Sequence, residues 1–259
     1  MLKVTPVRAF ADNYIWLIMD EAGRYAAIVD PGDAGPVIRS LRKSNVFPIG
    51  ILITHHHGDH VGGIRDLLNE YSDLPVYGPA NESIPAMTHP LKEGDEVFLN
   101  GLDTGFRVMD VPGHTFGHIA YYGSDALFCG DTLFAAGCGR VFSGTFEQLH
   151  ASLARIARLP GNTLVYCAHE YTVANLGFAR WVEPDNLNIQ RRDKEALALQ
   201  EKGIPTVPSR LNLECKTNPF LRFDEPEVVK IAEKKAGRRL KNPAEVFTVL
   251  RRWKDTEYD

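Results

Sequence analysis

Up to about residue 172 the chain alternates short apolar runs with breaks of Asp, Asn, Gly or Pro. Segments 2–9, 14–19 and 26–29 are rich in β-branched and aromatic residues, which predicts three strands. Asp30-Pro31-Gly32-Asp33 reads as a turn, with Asp33 as N-cap of a helix over about 34–43. The apolar run 47–53 predicts a buried strand, and a helix is expected from near His60 through Ile64, Leu67 and Leu68 to about Tyr71. Further strands are expected at 76–77, 97–99, 106–111, 118–122, 126–129 and 163–167. Leu149, Leu153, Ile156 and Leu159 predict a helix over 146–159.

Two halves of strands followed by a helix predict two sheets packed face to face under helices, an α/β fold of the αββα sandwich type. Beyond Thr172 the texture becomes helical, with helices expected at 173–181, 186–202, 225–236 and 243–253 and a Pro-rich connector at 204–208. The expected organisation is an αββα domain over 1–172 and a small all-α C-terminal domain over 173–259.

The mouth of the 47–53 strand changes this picture. Thr54-His55-His56-His57-Gly58-Asp59-His60 packs four imidazoles and a carboxylate into one short stretch. Buried without partners, each ring nitrogen would cost roughly 1–3 kcal/mol. A metal ion resolves the crowding, because neutral imidazole and carboxylate are metal ligands. His114 in Pro112-Gly113-His114, Asp131 in Gly130-Asp131-Thr132 and His169 in Ala168-His169-Glu170 also end predicted strands. Each is weak alone, since strand-terminal polar residues are usually satisfied turn residues, but with the cluster they reinforce one another.

Composition narrows the class. The 259 residues are 44% apolar and 24% charged, with a net charge of −4, which gives no basic footprint for nucleic acid. Four widely spaced cysteines without a C-x-x-C pair read as reduced thiols of a cytoplasmic protein. No secretory signal is expected from the first residues, and no run approaches the roughly 18 apolar residues that would span a membrane. A monomer is expected, because no heptads or long exposed edge are visible.

Thr-His-x-His-x-Asp-His, then Pro-Gly-His-Thr, then Gly-Asp, then a late His, resembles the metallo-β-lactamase superfamily. The resemblance implies that His55, His57 and His114 hold one divalent metal, that Asp59, His60 and His169 hold a second, and that Asp131 bridges both. It makes Asp59 and Asp131 the catalytic carboxylates and leaves His56 pointing away. Such ligands suit zinc and also admit iron or manganese. Asp131 to Arg140, His169-Glu170-Tyr171-Thr172, Thr217 to Arg222 and Leu250 to Asp255 are similar to the hydroxyacylglutathione hydrolase (glyoxalase II) family. That implies hydrolysis of S-(2-hydroxyacyl)glutathione thioesters such as S-D-lactoylglutathione, as in methylglyoxal detoxification. Arg140, Tyr171, Arg251 and Lys254 would then contact the small-molecule glutathione thioester, the last two as an i, i+3 clamp. Phe142 stands where some relatives have tyrosine.

Smaller features are weighed beside these. Asp30 is either a turn residue or the orienter of a ligand histidine. His118 is expected to be a satisfied strand histidine, and Cys129 and Cys167 buried hydrophobes. Cys138, between two glycines, raises the question of an exposed, oxidisable thiol, with burial the favoured state. A persulfide dioxygenase, a nuclease and a β-lactamase are the competing functions, each disfavoured by the full ligand set, the acidity or the lack of an export signal.

Overall fold

The computed structural model of the chain describes residues 2–102 and 104–259. The backbone divides into two compact units, one running to Val111 and including Phe116–Gly130, the other made of Pro112–Thr115 and Asp131–Asp259.

In the first unit β1 (Lys3–Ala9), β2 (Asn13–Met19) and β3 (Tyr25–Val29) pair antiparallel. From β3 the sheet continues parallel through β4 (Phe47–Leu52), β5 (Val76–Pro79) and β6 (His89–Leu91). The connections dictate the change of direction. Tight turns join β1, β2 and β3, whereas α1 (Ala34–Ser44) carries the chain back between β3 and β4. Asp33 caps α1 as expected, accepting from the Gly35 amide at 2.9 Å. Ile15, Leu17, Ile28, Ile51 and Ile53 meet Val37, Leu41, Ile64 and Leu67 in one buried core.

The helix expected over 60–71 is instead two pieces, α2 (Gly58–Val61) and α3 (Ile64–Glu70). Gly62 and Gly63 separate them where the 30–33 turn presses on the chain. Gly63 N donates to the Pro31 carbonyl at 2.8 Å. A Cβ on Gly62 would meet the Gly32 carbonyl at 2.6 Å, and one on Gly63 the Pro31 carbonyl at 2.7 Å. The unit also holds β7 (Glu96–Phe98), β8 (Gly105–Asp110), β9 (Ile119–Gly123) and β10 (Ala126–Gly130), paired antiparallel in that order.

The second unit contains a short hairpin of β11 (Leu133–Phe134) and β12 (Gly137–Cys138). Its other pairing joins β13 (Leu164–Cys167) to β14 (Ser209–Arg210). The helices are α4 (Phe146–Ile156), α5 (Thr172–Val182), α6 (Leu187–Glu201), α7 (Leu211–Thr217), α8 (Pro226–Ala236) and α9 (Pro243–Trp253). A Thr145–Gln148 capping box starts α4. The helix stops earlier than its apolar spacing predicts, because Leu159 N turns back to the Ile156 carbonyl just before Pro160. A single 3₁₀ turn, Pro219–Leu221, follows α7, and α9 runs into a wide turn over Lys254–Tyr258.

Candidate functional site

Two adjacent parallel strands set the first half of the site. The register pairs Val29 of β3 with Leu52 of β4, so Asp30 and Thr54 leave the same sheet edge side by side. Asp30 sits at φ 52°, a conformation that costs a non-glycine residue of order 1–3 kcal/mol and therefore needs strong anchoring. Its buried carboxylate supplies that anchoring. Oδ1 accepts from the Thr54 amide at 2.8 Å and Oδ2 from the Thr54 hydroxyl at 2.7 Å. The hydroxyl, having spent its proton on Asp30, can only accept from His55 Nδ1, 3.1 Å away. His60 Nδ1 lies 3.1 Å from Asp30 Oδ2. The Thr54 contact favours a proton on His55 Nδ1, and the neighbouring Asp30 carboxylate favours one on His60 Nδ1, so that Nε2 is the unprotonated nitrogen of each ring. Asp30 is therefore more than a turn residue, since its carboxylate holds Thr54 and lies beside His60.

The remaining donors of this unit crowd the same edge. His55 Nε2 lies 3.1 Å from His57 Nδ1, and His60 Nε2 lies 3.5 Å from Asp59 Oδ2. Donor atoms of His55 and His57, of His55 and His60, and of Asp59 and His60 each approach within 4.8 Å. Asn13 Nδ2 donates to Asp59 Oδ2 at 2.9 Å. His56 turns elsewhere, its Nδ1 lying 2.8 Å from Glu82 Oε2. His118 stacks on His55 with centroids 4.5 Å apart while its Nδ1 meets the Ile119 carbonyl at 3.0 Å, so it is a satisfied, buried histidine packed on the His55 ring.

In the second unit His114, Asp131 and His169 converge. Asp131 Oδ2 lies 3.5 Å from His114 Nε2 and 3.4 Å from His169 Nε2. His114 Nδ1 donates to the Arg140 carbonyl at 2.8 Å, which again makes Nε2 the unprotonated nitrogen. His169 stacks on Tyr171, and the edge of Phe134 meets both rings. Phe142 packs its ring edge-on against His114 at 5.2 Å, an apolar contact that a tyrosine could share.

Three cations lie on the same side of this unit's hairpin. Arg251, only 1% exposed, donates from Nη1 to the Cys138 carbonyl at 3.0 Å and from Nη2 to Asp255 and Asp259. Lys254 is buried against Asp259, while the half-exposed Arg140 lies 3.3 Å from Asp259 Oδ2. The i, i+3 pair does clamp an anion, and in the structure that anion belongs to the chain itself.

Residues 11–169 match the family model of the metallo-β-lactamase superfamily, and residues 170–257 that of the hydroxyacylglutathione hydrolase C-terminus. A hydroxyacylglutathione hydrolase of Alkalilimnicola ehrlichii is 54% identical over 255 residues, covering 98% of this chain and 99% of the relative. One of Nitrosomonas eutropha is 52% identical over 255 residues with the same coverage. Among solved structures, a protein designated TTHA1623 in a di-iron-bound form aligns with a TM-score of 0.60 at 28% identity, covering 84% of this chain and 100% of that one. The chain belongs to the hydroxyacylglutathione hydrolase family.

The fold is accordingly that of the metallo-β-lactamase superfamily, the expected αββα type, followed by the helical region of the hydroxyacylglutathione hydrolases. No helix among the described residues is long and apolar enough to cross a membrane. Cys138 is 3% exposed and its thiol is pushed up to about 11 by burial, which removes the exposed, oxidisable alternative.

A buried network that supports the β11–β12 hairpin is not evident in the sequence. Glu214 is fully buried, paired with Arg192 and Ser209, and accepts from the Ala136 amide at 2.8 Å. Asn218 Nδ2 donates to the Gly137 carbonyl at 2.9 Å, and Asn175 Nδ2 to the Ala135 carbonyl at 3.1 Å. Asn218 falls inside a stretch that resembles the family, but its signal there carries no role.

Proposed function

We propose that this protein hydrolyses S-(2-hydroxyacyl)glutathione thioesters, S-D-lactoylglutathione among them, to glutathione and a 2-hydroxy acid. The reading assigns His55, His57 and His114 to one divalent ion, Asp59, His60 and His169 to a second, and Asp131 to both. The donor set fits such ions: each unit gathers only imidazole and carboxylate donors, and the tautomers argued for His55, His60 and His114 present Nε2. Zinc is the proposed metal, with iron admitted by the di-iron neighbour.

When bound, two such ions would supply a nucleophile at neutral pH and positive charge for a developing oxyanion. The chain's own residues do the rest. Asp30 and the Arg140 carbonyl hold three imidazoles in their ligand tautomers, so no proton has to move before a metal is accepted. Arg140, Arg251 and Lys254 supply cations for the glutathione carboxylates, and Tyr171 offers a half-exposed ring against His169. The leaving thiolate has an ordinary pKa near 8.5, so no strong general acid is required.

The observation that carries the reading is the loop at 138–140. One short segment ties Arg251 through the Cys138 carbonyl, His114 through the Arg140 carbonyl, and carries the Arg140 cation. Ligand and carboxylate recognition thus share one piece of backbone. A monomeric, cytoplasmic enzyme with a helical substrate-binding domain over 173–259 completes the proposal. A substrate panel tests it: loss of thioester absorbance with S-D-lactoylglutathione, beside a simple lactone and a β-lactam. The thioester is expected to be cleaved fastest by orders of magnitude, and a preference for either of the others would overturn the assignment.

A further inference from the structure

Asp259 is held by three cations at once. Lys254 Nζ donates to its Oδ1, Arg251 Nη2 donates to its Oδ2 at 2.9 Å, and Arg140 Nη2 lies 3.3 Å from Oδ2. Asp255 shares two of these partners, lying 2.8 Å from Arg251 Nη2 and 3.6 Å from Arg140 Nε. The two acids are not equivalent. Asp255 is an i, i+4 partner of Arg251 that any continuing helix would supply. Asp259 reaches the cluster only because the chain turns widely, its amide donating to the Lys254 carbonyl at 2.9 Å.

That wide turn has its own seat. The Tyr258 ring meets Trp181 edge-on at 4.9 Å and Phe178 at 5.5 Å. A Cβ on Gly177 would run into the Tyr258 hydroxyl, so a bare glycine of α5 makes the seat possible. Burial opposes ionisation of Asp259, but Lys254, Arg251 and Arg140 outweigh it and hold its carboxyl below the usual carboxylate range. The acid is therefore charged throughout the neutral range.

Among these side chains, three cations face two carboxylates, an excess of one positive charge. Removing Asp259 would double it. Exchange of one carboxylate for another also keeps the buried Arg251 guanidinium paired, avoiding the large penalty of a buried, uncompensated charge. We infer that Asp259 is an internal competitor for the glutathione carboxylate: it occupies the Arg140, Arg251 and Lys254 cluster in the substrate-free protein and yields it when substrate binds, so that it sets substrate affinity. The inference rests on the reading above that this cluster receives the substrate.

Asp259→Asn keeps the size of the side chain and removes its charge. In the metal-loaded protein, KM for S-D-lactoylglutathione should fall about three- to ten-fold, the worth of one ordinary net hydrogen bond. The turnover number should change less than twofold. The dissociation constant of glutathione, read calorimetrically, should fall by the same factor as KM. A thioester whose glutathione carboxylates are methylated should show no change, which separates charge competition from a general loosening. Gly177→Ala, which unseats Tyr258 without touching a charge, should shift KM in the same direction. If the wild type cleaves the thioester and Asp259→Asn leaves KM and the dissociation constant unchanged or raised, the acid is a structural pair and the inference fails alone. If the wild type neither cleaves the thioester nor binds glutathione, the functional reading fails and the inference with it.

Discussion

The imidazole of His114 donates from Nδ1 to the carbonyl of Arg140 at 2.8 Å, across a loop that folds back on itself. A candidate metal ligand and a candidate substrate cation are thereby coupled through a backbone group that no side-chain substitution can remove. The coupling depends on close approach at Gly139, the residue between Cys138 and Arg140.

A Cβ on Gly139 would run into the Asp131 carbonyl and come within 3.0 Å of His114 Nδ1. Gly139→Ala should therefore displace two ligands together. Bound metal, measured on the purified protein, should drop with activity, and activity should fall by about 100-fold or more, the scale for misplaced catalytic geometry. A fully loaded, fully active variant would show that the loop tolerates movement.

Asp30 acts on the first unit's ligands through Thr54 and His60. Asp30→Ala should weaken metal binding by about 10- to 100-fold, the usual cost of losing a group that orients ligands. Competition against a chromophoric chelator reads this directly. Wild-type affinity would return Asp30 to the role of a turn residue.

Glu214 and Arg192 are a buried pair, and removing one partner leaves an uncompensated charge. Glu214→Ala should cost about 3–5 kcal/mol in urea unfolding. Glu70→Gln, which opens the exposed pair with Arg42, should cause no measurable loss. Equal effects of the two substitutions would contradict the role given to burial.

Burial pushes the thiols of Cys138 and Cys167 up to about 11 and about 12, well above the ordinary thiol range. Above about pH 9 the unfolded thiols ionise while the folded ones keep their protons. Each group's contribution is thus fully present below pH 9 and is lost as pH rises through its folded value. Stability measured between pH 9 and 11 should fall more steeply in the wild type than in Cys138→Ala. Identical slopes would mean that the thiol is not kept neutral by the fold.

Much of this was legible in the chain because local composition and strand ends carry it. The His55–His60 cluster announces itself at the mouth of β4, and the spacing of Arg251 and Lys254 announces a clamp. Contacts between distant segments do not show in a local window. Gly62 and Gly63 break a helix only because the Pro31 carbonyl arrives beside them. Asn13 matters through Asp59, 46 positions away. Glu214 and Asn218 read as ordinary polar residues until the hairpin they support is in place. The anion in the Arg251–Lys254 clamp was hidden for the same reason, since only the wide turn brings Asp259 to it.

The proposed pair of divalent ions can be counted by a metal titration against thioester cleavage. Chelator-stripped protein is titrated with zinc while the absorbance of S-D-lactoylglutathione is followed. The account predicts negligible cleavage without metal and a rate that climbs to a plateau at two equivalents per chain. Undiminished cleavage by the stripped protein would contradict it.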